Sequence, residues 1–145
     1  MGGGGVDGAI HSAAGQQLLD ECIKIAESRR PNEPCLTGDA VITRAGELPA
    51  KYVIHTVGPV WRGGNKGEPE LLASCYRKSL LLAQENKIES IAFPNISTGI
   101  FGYPKEKAAE VAINTVQETL KETPGIKKVI FVCFDKENYL LYQQL

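Results

Sequence analysis

Residues 90–122, SIAFPNISTGIFGYPKEKAAEVAINTVQETLKE, decide the fold class of this chain. SIAFP (residues 90–94) is a short apolar run of the buried-strand type, and it passes directly into a glycine-bearing loop, NISTGIFGYP (residues 95–104). A helix is predicted from Pro104, whose fixed φ and missing N–H suit a first turn, closing before Thr123-Pro124-Gly125. KKVIFVCF (residues 127–134) is near-continuously apolar, as strands buried on both faces of a parallel sheet are. Asp135 then reads as the N-cap of a last helix in DKENYLLYQQL. Strand, helix, strand and helix in succession imply an α/β fold with a largely parallel sheet and right-handed crossovers.

Upstream, PELLASCYRKSLLLAQEN (residues 69–86) is the clearest amphipathic helix, with Pro69 in its first turn. GPVWRGGNKGEP (residues 58–69) is punctuated by Gly and Pro and reads as a surface loop. KYVIHTV and the AVIT of residues 40–43 are strand candidates, and RRPNEPCLTGD (residues 29–39) is a loop. Residues 6–29 carry apolar positions at helical spacing, from Val6 and Ile10 to Ile23 and Ala26, and predict two short helices bent near Gly15.

The 145 residues fit one domain, 1–145. A content of 43% hydrophobic and 23% charged residues is that of a globular chain. No run approaches a membrane span, and the N-terminus has no secretory signal pattern. A net charge of -1 argues against an electrostatic grip on DNA or a membrane surface, so a bound anion must be met locally. Cys22, Cys35, Cys75 and Cys133 form no CxxC pair, which implies reduced thiols in a cytoplasmic protein. His11 and His55 have no ligand spacing to a cysteine, and no metal site is expected.

Two loops have the composition to hold an anion. GGGGVDGAIH (residues 2–11) leads into a helix, and Asn95–Gly102 leaves a strand with a helix behind it. Both offer free backbone N–H groups and a helix N-terminus, and two such loops facing each other would suit a diphosphate. Neither matches a P-loop or a dinucleotide-binding fingerprint, and each is also compatible with a plain tight turn. Asp7 has two readings. A carboxylate in a first helical turn complements the dipole, but in a phosphate pocket it would serve to orient a water or bind a ribose hydroxyl. His11, four residues on, shares that helical face, although a core or partner-bonded histidine is the favoured reading of it, and a structural role suits His55 in its strand. Phe101 either packs on a ligand or anchors its loop. Phe134, ending the last strand at the ligand-bearing edge, either stacks on a base or packs in the core. Trp61, in the long loop, is either a lid or simple cover, with cover the favoured reading.

Taken jointly, GGGGVDGAIHSAAG, GDAVIT, KYVIHTVGPVW, SIAFPNISTGIFGYP and VIFVCFD resemble the macrodomain family across essentially the whole chain. The similarity is greatest to the branch that includes O-acetyl-ADP-ribose deacetylases and mono-ADP-ribosyl hydrolases. The resemblance implies a three-layer α/β/α fold with a mixed, largely parallel sheet and an ADP-ribose cleft at the strands' carboxyl ends. It implies a first phosphate loop at Gly3, Gly4, Gly5, Val6 and Gly8, with Asp7 as the catalytic aspartate. It implies a second loop at Ser97, Thr98, Gly99, Ile100, Phe101 and Gly102, with Phe101 bordering the distal ribose and Phe134 stacking on adenine. A water held between the aspartate and the ligand phosphate would attack the ester, with no metal and no cofactor required. The expected ligands are ADP-ribose, its derivatives and ADP-ribosylated proteins.

The family normally has roughly 40–50 residues ahead of this loop, about a third of a domain of this class. They carry a GDI-type stretch that grips adenine and an NAAN-type stretch that helps bind the distal ribose. Their absence from the sequence admits three readings: a start site assigned too late, a fragment with impaired activity, or an oligomer that exchanges elements. GDA at Gly38-Asp39-Ala40 belongs to a later strand and inherits no role. By family topology, the sheet would then lack a central strand and leave unpaired backbone beside an apolar edge. Hydrolysis of an ester at the distal ribose is the leading functional expectation, and a non-catalytic ADP-ribose-binding module is the alternative.

Overall fold

A computed structural model describes residues 5–16, 20, 36–133 and 135–144, with the backbone alone at 5–8, 11 and 144. The chain begins with α1 (Gly5–Ala14), which ends where Gly15 takes a φ of 84°. β1 (Ala40–Arg44) and β2 (Tyr52–Thr56) form an antiparallel pair with Ala40 opposite Thr56 and Arg44 opposite Tyr52. α2 (Glu68–Glu85) leads to β3 (Ser90–Phe93), and α3 (Lys105–Leu120) crosses over to β4 (Lys128–Phe131). β3 and β4 are parallel, with Ser90 opposite Lys128 and Phe93 opposite Phe131, as a strand-helix-strand crossover requires. α4 (Lys136–Gln144) ends the described chain.

Most of these elements match the sequence expectations within a residue or two; β4 stops three residues short of the apolar run that predicted it, and α1 ends at Gly15, where the bend was expected. The second helix expected before residue 29 falls outside the described residues, as does most of the following loop. Among the described residues, one ladder is parallel and one antiparallel.

The layering follows from strand alternation. Ile54, Ile91, Val129 and Phe131 turn toward α2, α3 and α4, where Leu72, Tyr76, Leu80, Phe93, Ala108, Ala112 and Val116 are buried. Tyr76 meets Phe93 at 5.0 Å between ring centroids, and Tyr142 of α4 meets Phe131 at 4.9 Å. Val53, on the opposite face of β2, packs with Leu48 against Ile10 and Ala14 of α1. Helices thus cover both sides of β2.

β4 departs from its predicted burial on both faces. Ile130 and Val132 are 43% and 54% exposed, so the strand is covered on one face only. Its apolar run is longer than the cover that α2, α3 and α4 provide. β2 and β3 do not pair with each other among the described residues. Between them lies a trough of about 1170 Å³, bordered by Val53, His55, Ile91 and Ala92 among others. His55 itself bonds Thr43 through Nε2 at 2.9 Å, which fits the structural role expected of it.

Candidate functional site

The carboxyl end of β3 runs through Pro94 into the Asn95–Tyr103 loop, which α3 follows. Ser97 sits at φ 66° and Gly102 at φ 72°, so the chain twice enters the left-handed region within six residues. Gly102 tolerates this without a Cβ penalty, whereas Ser97 does so at a conformational cost. The loop closes on itself: the Gly102 N–H donates to Gly99 C=O at 3.0 Å, and the Tyr103 N–H to Ser97 C=O at 2.9 Å. The Thr98 hydroxyl donates to Asn95 C=O at 3.1 Å. These bonds hold the backbone in a tight coil at the head of α3, where the helix dipole favours an anion. Ile100 at its tip is 99% exposed and Phe101 40%. The Ser97 Oγ is buried with no hydrogen-bond partner among the described residues.

The first glycine stretch divides at Gly5. Helix α1 already begins there, so Gly5, Val6, Asp7 and Gly8 form its first turns rather than a preceding loop. Amides in a first turn lack intrahelical acceptors, which keeps an anion-binding role open to their backbone. Gly3, Gly4 and Phe134 lie outside the described residues. The structure therefore assembles Ser97–Gly102 in detail, gives Gly5–Gly8 as backbone, and describes no contact between the two.

What braces the second loop was not singled out from the sequence. Gly58 packs so closely that a Cβ there would fall on Ser97 Oγ and come within 2.7 Å of Ile96 Cγ2. The Trp61 N–H donates to Phe101 C=O at 2.8 Å. The Trp61 ring lies against Tyr103, 4.7 Å between centroids, and the Lys107 ammonium stands 5.3 Å above it. Trp61 is cover, as expected, but for the candidate site itself.

Beneath it, the Glu68 carboxylate is 1% exposed and accepts three backbone N–H bonds. Oε2 takes Arg62 at 2.9 Å and Gly64 at 2.8 Å, and Oε1 takes Lys66 at 2.6 Å. Burial alone would raise its pKa, but these bonds outweigh it and bring the value from 4.5 to about 2. Glu68 reads from sequence as an ordinary first-turn acid before Pro69. Its only hint is the glycine-rich stretch just upstream.

At the neighbouring strand end, Lys105 of α3 bonds Asp135 at 3.1 Å and Glu137 at 3.0 Å. Asp135 caps α4 by accepting the Asn138 N–H at 2.8 Å, as predicted. That capping bond first, and Lys105 second, hold the Asp135 carboxyl below its usual range. The start of α4 is thereby tied to the start of α3. Cys75 and Cys133 are free thiols, and burial raises the pKa of Cys75. Cys22 and Cys35 lie outside the described residues.

The sequence matches the family profile described as Macro domain over residues 1–112. A Cronobacter sakazakii protein named O-acetyl-ADP-ribose deacetylase is 58% identical over 145 residues, covering 100% of this chain and 79% of the relative. The Oceanobacillus iheyensis macrodomain with ADP superposes with a TM-score of 0.93 at 44% identity, over 99% of this chain and 75% of that one. A Trypanosoma brucei macrodomain in complex with ADP-ribose gives 0.85 at 40% identity, over 98% of this chain and 56% of that one. The chain belongs to the macrodomain family, which its motifs taken jointly had resembled.

Proposed function

We propose that this protein binds ADP-ribose and hydrolyses the ester of O-acetyl-ADP-ribose. The observation that carries this is the 58% identity, along the whole chain, to a relative named for that activity. The geometry of the Ser97–Gly102 loop supports the binding half. With a net charge of only -1, the protein needs oriented backbone amides for a diphosphate, and the coil ahead of α3 supplies them. The first-turn amides of α1 would form the opposing half of the clamp.

In the proposed reaction, a water lies between the Asp7 carboxylate and a ligand phosphate. Its oxygen attacks the acyl carbon while Asp7 orients the water and receives its proton; the ester C–O bond then breaks, Asp7 returns that proton to the departing ribose oxygen, and acetate and ADP-ribose leave. Phe101 would border the distal ribose and Phe134 would stack on the adenine. ADP-ribosylated acidic side chains present the same ester chemistry and are proposed as alternative substrates.

Turnover of O-acetyl-ADP-ribose, followed by acetate release, tests this directly. Asp7→Ala is expected to reduce kcat at least about a hundredfold, in the range of a lost acid–base group, while ADP-ribose still binds. An unchanged rate in that variant rejects the role of Asp7. Binding by wild type with no turnover leaves a non-catalytic ADP-ribose module in place of the enzyme.

A further inference from the structure

We propose that the Glu68 carboxylate is a positioning residue for the Ser97–Gly102 loop, acting through the Gly58–Gly67 segment. It thereby sets how tightly that loop holds its diphosphate ligand. The inference rests on the ADP-ribose reading above and adds a part of the machinery that lies outside the cleft.

Three observations meet here. First, a fully buried carboxylate is expensive unless it is satisfied, and among the described residues the hydrogen-bond donors to Glu68 are backbone N–H groups of one short segment. An exposed cap such as Ser or Asp would start α2 just as well. The buried acid therefore does something for the segment, not just for the helix. Second, the segment cannot hold its shape unaided. Gly63, Gly64 and Gly67 have φ of 95°, 89° and 78°, and Gly64 is pressed so near the Trp61 ring that a Cβ would come within 2.8 Å. Such a chain has a large conformational entropy to lose, and the three bonds to one carboxylate offset it.

Third, the ordered segment delivers contacts to the phosphate loop. Gly58 packs on Ser97, the Trp61 N–H holds Phe101 C=O, and the Trp61 ring leans against Tyr103 at a tilt. The N–H of Tyr103 in turn closes the loop on Ser97 C=O. A path of direct contacts thus runs from the carboxylate to both ends of the loop. The amides that would meet a diphosphate are held in place before the ligand arrives, which is where preorganisation raises affinity.

Glu68→Gln keeps the shape and removes the charge, leaving one oxygen to serve three donors. Trp61 is the only tryptophan in the chain, so its fluorescence reports the segment independently of any ligand. The variant is expected to show greater acrylamide quenching of Trp61 and about tenfold weaker ADP-ribose binding by calorimetry, the equivalent of one charge-assisted hydrogen bond. With O-acetyl-ADP-ribose, KM should rise by about the same factor, with kcat within about twofold. A merely structural defect would lower the active fraction and kcat instead. Should Glu68→Gln fail to fold by circular dichroism, Trp61→Ala provides the second arm. It breaks the same path beyond the carboxylate and is expected to weaken ADP-ribose by a similar factor. ADP-ribose binding at wild-type strength in the folded Glu68→Gln variant overturns the proposal, as does wild-type binding by Trp61→Ala where the first variant is unfolded. Wild-type protein that ignores ADP-ribose in the same titration overturns the functional reading, and the proposal with it.

Discussion

Single residues carry the tension in this protein. Glu68 is ionised in a site 1% exposed, because three amides replace its water. Its pKa is depressed in the folded chain, so its stabilising contribution is fully present above the unfolded value of 4.5 and is lost as pH falls toward about 2. Urea denaturation should show wild type more stable than Glu68→Gln by a constant margin above about pH 5. That margin should shrink steadily in acid; one that does not change with pH would disprove the assignment. Gly58 is the complementary case, a residue defined by what it lacks. Gly58→Ala places a methyl on Ser97 Oγ, and the loop must move to admit it. Overpacking of this kind costs about 1–3 kcal/mol, and weaker ADP-ribose binding should accompany the loss. Neither position was legible from the sequence, where Glu68 is a common first-turn acid and Gly58 one glycine of several. The Ser97–Gly102 loop was legible, because its glycines and its place between a strand and a helix are local features.

Among the elements, α2 is the one on which the rest is assembled. Its inward stripe of Leu72, Tyr76, Leu80 and Ala83 meets β3 and α3, while the Cys75 thiol donates to Val57 C=O at 3.3 Å beside β2. Ser74 donates to Gly38 C=O at 2.8 Å and Lys78 bonds Asp39 at 2.7 Å, which fixes the entry to β1. The helix thus joins the antiparallel pair to the parallel pair. Leu80 is wholly buried, and Leu80→Ala should destabilise by about 2–5 kcal/mol in chemical denaturation. A cost under about 1 kcal/mol, the level of a surface change, would mean that α2 does not carry the core. Helix positions were well predicted because the 3.6-residue stripe and the breakers Pro69, Pro104 and Gly125 are written in consecutive residues. The burial of β4 was overestimated, since an apolar strand records what it can tolerate and not how many helices cover it.

Over the whole molecule, cover is uneven: α2, α3 and α4 bury one face of β3 and β4, while Ile130 and Val132 stay open. Ile130→Thr should therefore change stability by less than about 1 kcal/mol, whereas Phe93→Ala on the covered face should cost about 3–5 kcal/mol. Comparable losses at the two positions would show that both faces are packed. The edges of β2 and β3 that face the trough should exchange their amides faster than those within the two ladders, a contrast hydrogen exchange can measure. The sequence by itself determined the α/β class, the element order, the caps and the anion-suited loop, and its joint motifs pointed to the macrodomain family. Each of these depends on neighbours a few residues apart, where period, capping and turn chemistry act. The tertiary structure decided which face of each strand is covered and that Trp61 and Glu68 brace the candidate site. Those outcomes come from contacts between residues far apart in the chain, and only the folded backbone sets which of them meet.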